Sequence, residues 1–189
     1  VRHPIYMLIQ QTLNQINLVA PAGTVRQFHI YIKYNDRQLP YWNSGQEELY
    51  LRSNPVERAI YEMQKLSELA ESFKREFRED YGGQIVTVPF ERFVLDPWPY
   101  MRRIEDLLAT KVTSKTRKVM KKQNVPRGRI SDGIPLNIYK RCGWEPPKKE
   151  LSEQQELDKR RQYAIDQGAN EEAMEVLDRI CLEYKEKYL

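Results

Sequence analysis

Val56, Ile60, Met63, Leu66, Ala70, Phe73 and Phe77 recur at spacings of three and four, the period that puts side chains on one face of an α-helix. Three agreeing residues mark its start: Asn54 as a cap, Pro55 in the first helical position and Glu57 three residues after the cap. Tyr81-Gly82-Gly83 predicts its end. Gln84-Ile85-Val86-Thr87-Val88 follows, rich in β-branched residues and without alternation, as expected for a strand covered on both faces of a parallel sheet. After Asp96-Pro97-Trp98-Pro99, a second amphipathic helix is predicted through Met101, Ile104, Leu107 and Leu108. Helix, strand and helix in this order predict an α/β fold, a parallel sheet flanked by helices.

Upstream, Phe28, Ile30, Ile32 and Tyr34 alternate with His29, Tyr31 and Lys33, which predicts a half-exposed strand, antiparallel or at an edge. A helix is expected from Pro4 to about Asn17, with Ile5, Leu8, Ile9, Leu13 and Ile16 on its apolar side, and Val1-Arg2 then closes a strand. At the other end Met174, Leu177, Ile180, Cys181, Tyr184 and Tyr188 form an amphipathic helix started by Asn170, with a weaker helix over residues 151–165 before it. The two predict a C-terminal helical hairpin. The glycines and prolines between Pro126 and Pro147 predict a loop.

The composition, 40% hydrophobic and 31% charged over 189 residues, supports one domain with its own core, residues 1–189. No apolar run approaches the roughly 20 residues of a membrane span. Two histidines and two cysteines, Cys142 and Cys181, give no metal-ligand spacing and no disulfide framework; both cysteines are expected as reduced thiols, which fits a cytoplasmic setting. The opening Val1-Arg2-His3-Pro4 has neither an initiator methionine nor a signal stretch, and reads as the interior of a longer chain.

Charge is unevenly spread. Residues 150–189 carry −5 and residues 1–149 carry +9. Lys115, Arg117, Lys118, Lys121, Lys122, Arg127 and Arg129 stand within fifteen residues that hold no acid. Such a run is either a solvated helix face or the counterpart of an anion, a phosphate or a nucleic acid. Arg2, at the junction of a strand end and a helix start, is a second candidate phosphate seat, since a helix start offers amides and the guanidinium a forked cation. Gln10 and Gln11, further into the helix, could donate from the same end.

These segments resemble the nucleotide-dependent sulfotransferases. Val1-Arg2-His3-Pro4 followed by a helix is similar to their 3′-phosphate segment, and Val86-Thr87-Val88-Pro89-Phe90-Glu91-Arg92-Phe93-Val94-Leu95-Asp96-Pro97 to their strand, aromatic–acid pair, Asp-Pro and helix. Lys121 to Arg129 falls where the family has a basic, glycine-containing loop over the nucleotide. The resemblance covers residues 1 to about 129. It implies a P-loop-like sulfotransferase fold and sulfuryl transfer from 3′-phosphoadenosine 5′-phosphosulfate (PAPS) to a hydroxyl or amine, possible acceptors being a carbohydrate or small alcohol, without a metal. It implies that Arg2 and Gln10 bind the 3′-phosphate, that Arg127 and Arg129 clamp the nucleotide, and that Gly128 lets backbone approach the phosphates. Gln10 stands where the family usually has serine. The catalytic base and the loop for the 5′-phosphosulfate are expected before Val1. A rival register through Arg52 and Asn54-Pro55-Val56-Glu57-Arg58-Ala59 is disfavoured, because Ile60 takes the serine position and no strand-like run precedes it.

Glu91 is expected to orient neighbouring loops. The aromatics Tyr34, Tyr41, Trp42 and Tyr50 suit either an acceptor surface or core packing around Pro40, with packing favoured; Trp98 and Trp144 are also read as packing residues, and His29 as exposed. A non-catalytic module in which the 115–129 run contacts nucleic acid is the alternative; the absence of aromatics interleaved with that run argues against it. A P-loop kinase is a third reading, without an acidic pair for magnesium.

Overall fold

In the computed structural model residues 1–16, 30–81, 84–133 and 151–189 are described. Helices dominate: α1 (Pro4–Asn14), α2 (Glu47–Arg52), α3 (Pro55–Tyr81), α4 (Phe90–Leu95), α5 (Trp98–Leu108), α6 (Ser114–Lys122), α7 (Glu153–Asp166) and α8 (Glu171–Tyr188). Strands β1 (Tyr31–Tyr34) and β2 (Arg37–Pro40) pair antiparallel, Tyr31 opposite Pro40 and Tyr34 opposite Arg37. Asn35 and Asp36, both at positive φ, make the two-residue turn whose twist suits a hairpin.

The long-helix signals act as their chemistry predicts. Asn54 Oδ1 accepts from the amides of Val56 and Glu57, both at 3.0 Å, while Glu57 Oε2 accepts from the Asn54 amide at 2.9 Å. The same two residues fasten α3 to the C-terminal hairpin. Asn54 Nδ2 donates to the Gly168 carbonyl at 2.8 Å, and the Asn170 amide donates to Glu57 Oε1 at 3.1 Å. Gly168 takes a φ of +81° at the turn between α7 and α8, a conformation glycine adopts without steric cost. Ile5 and Leu8 of α1, Val56, Ile60 and Met63 of α3, Ala164 of α7, and Ala173, Leu177 and Ile180 of α8 form the core. Inside this four-helix packing Glu156 and Arg160 of α7 are both buried and bonded to each other, with Arg160 lying over the Tyr6 ring.

The expected parallel sheet, and with it the P-loop-like sulfotransferase fold, is corrected. Among the described residues the only strands are the antiparallel hairpin. Residues 84–89 form no regular element and join no ladder, and residues 85–88 are half-buried rather than covered on both faces. Val1 lies against this segment, its amino group donating to the Val88 carbonyl at 3.0 Å and its carbonyl accepting from Phe90 at 2.9 Å. A β-branched run favours a strand only where neighbouring strands pack against it, and those partners must be brought from elsewhere in the chain.

The apolar stripe of α3 is also only half used. Val56, Ile60 and Met63 are buried, but Phe73 is 65% exposed and Leu66 and Phe77 are exposed as well. Helix α5 has no buried residue. Phe73, Phe77, Ile85, Val86 and Leu107 line an open groove of about 620 Å³ between α3, the segment 84–89 and α5. Among the described residues no helix is long and apolar enough to cross a membrane.

Candidate anion site at Phe90

Arg2 precedes α1 and Arg127 follows α6, 125 positions apart in the sequence. The fold brings them onto one ring: the guanidinium carbon of Arg2 lies 4.8 Å from the centroid of Phe90, and that of Arg127 5.5 Å from it. The Val1–Phe90 backbone bond sets Arg2 beside the start of α4. Arg127 is set by its own amide, which donates to the Val94 carbonyl of the same helix at 2.7 Å. Both arginines are half-buried. Burial first, and then the positive charge of Arg2, lower the pKa of Arg127, opposed by Asp132.

The side chain of Arg127 is held at one edge. Its Nε donates to the Asn124 carbonyl at 3.2 Å and its Nη1 to the Ile130 carbonyl at 2.9 Å, while the guanidinium packs over Gly133. Nη2 has no hydrogen bond among the described residues. Two like charges converging in a partly desolvated setting attract an anion, and the guanidinium geometry suits an oxyanion.

The other expected site residues take different places. Arg129 is turned onto Asp132, with Nη2 3.1 Å from Oδ1 and the backbone amide 3.0 Å from Oδ2. Gly128 is exposed at the tip of the loop. Gln10 is half-buried on α1, six residues beyond Pro4 and so roughly 9 Å along the helix axis, and no hydrogen bond joins it to Arg2. The helix start offers less than expected. Pro4 has no N–H, the Ile5 amide donates to His3 Nδ1 at 3.3 Å and the Tyr6 amide to the His3 carbonyl at 3.1 Å. The guanidinium groups, rather than helix-end amides, supply the positive charge here.

Beneath the site lies a buried polar joint that the sequence reading credited only with orienting loops. Glu91, 2% exposed, accepts from the His3 amide at 3.1 Å and from the Tyr184 hydroxyl at 2.6 Å. It thus fixes the start of α1 and the last turns of α8 to the helix that carries Phe90. Burial and then Lys185 lower the pKa of His3 to about 4, so its ring is neutral at pH 7 and serves as the α1 cap. Phe90 is the residue sequence reasoning missed; its signal was the aromatic–acid pair Phe90-Glu91, in which only the acid received a role.

Trp98 is half-buried, with the Arg117 guanidinium 4.7 Å from its ring centroid. The remaining basic residues of α6 face solvent. Tyr50 is buried under Arg58, its ring centroid 4.3 Å from the guanidinium, whereas Tyr41 is half exposed and meets Trp42 edge to face. Cys181 is a half-buried free thiol against the core. His29, Cys142 and Trp144 lie outside the described residues. Among the described residues no three His, Cys, Asp or Glu side chains gather as a metal site. No family model, curated protein or solved structure matches the chain.

Proposed function

We propose that the Arg2–Phe90–Arg127 cluster binds a phosphorylated nucleotide, and that the ligand is PAPS, used for sulfuryl transfer to an acceptor hydroxyl or amine. The observation that carries this reading is the convergence on one ring of the two arginines, separately singled out by the sequence motifs, at 4.8 and 5.5 Å. Arg2 holds the 3′-phosphate, Arg127 closes over the nucleotide through Nη2, and Gly128 gives the backbone of that loop access to phosphate oxygens. In the transfer, the acceptor oxygen or nitrogen bonds to sulfur in line as the bond from sulfur to the bridging oxygen breaks. The acceptor proton leaves to a base, and the nucleotide departs carrying the new charge. Fixed cations stabilise that charge best where water is partly excluded, as it is around these half-buried guanidinium groups.

Adenosine 3′,5′-bisphosphate is the probe. At about a hundredfold excess over its Kd it is expected to stabilise the chain by about 2.7 kcal/mol, a rise of a few degrees in Tm for a chain of this size. Arg2→Ala and Arg127→Ala each remove most of that rise. Unchanged melting at saturating nucleotide overturns the reading. A second reading draws on Arg117 over Trp98 beside the exposed α6 cations, which fits a nucleic-acid surface. It predicts oligonucleotide binding whose log affinity falls linearly with log salt and which ignores the bisphosphate.

A further inference from the structure

A second concentration of positive charge lies where α3, the segment 84–89, α5 and the end of α8 surround a cavity of about 390 Å³, which Arg2 and Arg127 do not line. Four cations line it, Lys74 and Arg78 from α3, Arg103 from α5 and Lys187 from α8, against one carboxylate, Glu71. That carboxylate is already engaged. Lys74 Nζ donates to Glu71 Oε1 at 2.7 Å, the Tyr188 hydroxyl donates to the same oxygen at 3.1 Å, and Lys187 pairs with Oε2. The two lysines hold the Glu71 pKa down to about 2, so it stays ionised and neutralises one of the four positive charges.

Arg78 and Arg103 have neither a hydrogen bond nor an ion pair among the described residues. Asp106 borders the adjoining groove with both of them yet forms no salt bridge with either. Thr87 and Tyr100 add hydroxyl groups to the same wall. A wall that adds two guanidinium groups without protein acceptors to a lysine pair carries a net positive potential that attracts an anion, and forked guanidinium donors favour oxyanions with several oxygens.

We propose that this cavity is a binding site for a small inorganic oxyanion of two or more negative charges, of the pyrophosphate class, distinct from the nucleotide site proposed at Phe90. The probe is inorganic pyrophosphate, read by thermal melting against sodium chloride of equal ionic strength. Pyrophosphate is expected to raise Tm by several degrees in the unaltered chain and equally in Arg127→Gln, and to lose most of that effect in Arg78→Gln/Arg103→Gln. Both arginines are exposed, so the double variant retains the fold, which its circular dichroism verifies. The proposal is overturned by a rise no greater than that with sodium chloride, or by one that survives in the double variant and disappears in Arg127→Gln.

Discussion

Arg2 and Arg127 share the ring of Phe90, with guanidinium carbons 4.8 and 5.5 Å from its centroid. The ring therefore does for two cations what a carboxylate would do for one: it gives each an attractive surface without cancelling its charge. A glutamate at this position would quench the anion site, whereas a phenylalanine organises it.

Phe90→Leu keeps an apolar side chain and removes the π face. Each cation–π contact contributes about 0.5–1 kcal/mol where exposed and about 2 where desolvated, so Tm is expected to fall by a few degrees and, with the guanidinium groups no longer held together, affinity for adenosine 3′,5′-bisphosphate to drop about tenfold. Isothermal titration of the two proteins measures the difference, and equal affinities would remove Phe90 from the site.

Tyr184→Phe leaves Glu91 buried with one of its two donors. Loss of a partner from a buried polar group costs about 1–3 kcal/mol. The unfolding free energy from urea titration should fall by that amount, the midpoint shifting down at an unchanged m-value. Because Glu91 anchors α4, the variant should also weaken nucleotide binding, although Tyr184 is not among the residues assigned to the ligand. A variant as stable as the parent contradicts the joint described for Glu91.

Stability against pH has two opposed limbs. His3, held neutral with a pKa of about 4 by burial and then by Lys185, titrates near 6.5 when unfolded. Its contribution is complete above 6.5 and is lost as pH falls toward 4, up to about 3 kcal/mol. Glu62, raised to about 7 by burial despite a hydrogen bond from Gln15, behaves in reverse: its contribution is complete below about 4.5 and declines as pH rises through 7. Denaturation at pH 4.5, 6 and 8 should show His3→Asn flattening the acid limb while preserving a capping side chain. Glu62→Gln should exceed the parent by about 2 kcal/mol at pH 8. Parallel pH curves for parent and variants would show that neither group titrates as described.

What the sequence revealed was what neighbouring residues decide. The Asn54-Pro55-Glu57 start, the Asn170 cap and the stripe of α8 are local or periodic, and each appears where it was expected. The parallel sheet was not legible in Gln84–Val88, because β-branched residues suit a strand but do not supply the strands that would pair with it. The stripes of α3 and α5 announced apolar faces, but periodicity carries no information about what covers them, and Phe73 and Leu108 remain exposed. At the site, Arg2 and Arg127 were found through the order of short motifs. For Arg129 the sequence reading left out Asp132, three residues on, which pairs with its guanidinium at 3.1 Å, a contact as local as the caps.

The guanidinium of Arg127 also explains why position 133 is glycine. A β-carbon there would sit 2.8 to 3.0 Å from three of its terminal atoms, closer than carbon and nitrogen tolerate. Since those atoms end a flexible side chain, an alanine would be accommodated by swinging the arginine aside, with little penalty to the folded chain. Position 133 thus separates the proposed ligand site from the fold: a methyl group there would silence the first while leaving the second intact.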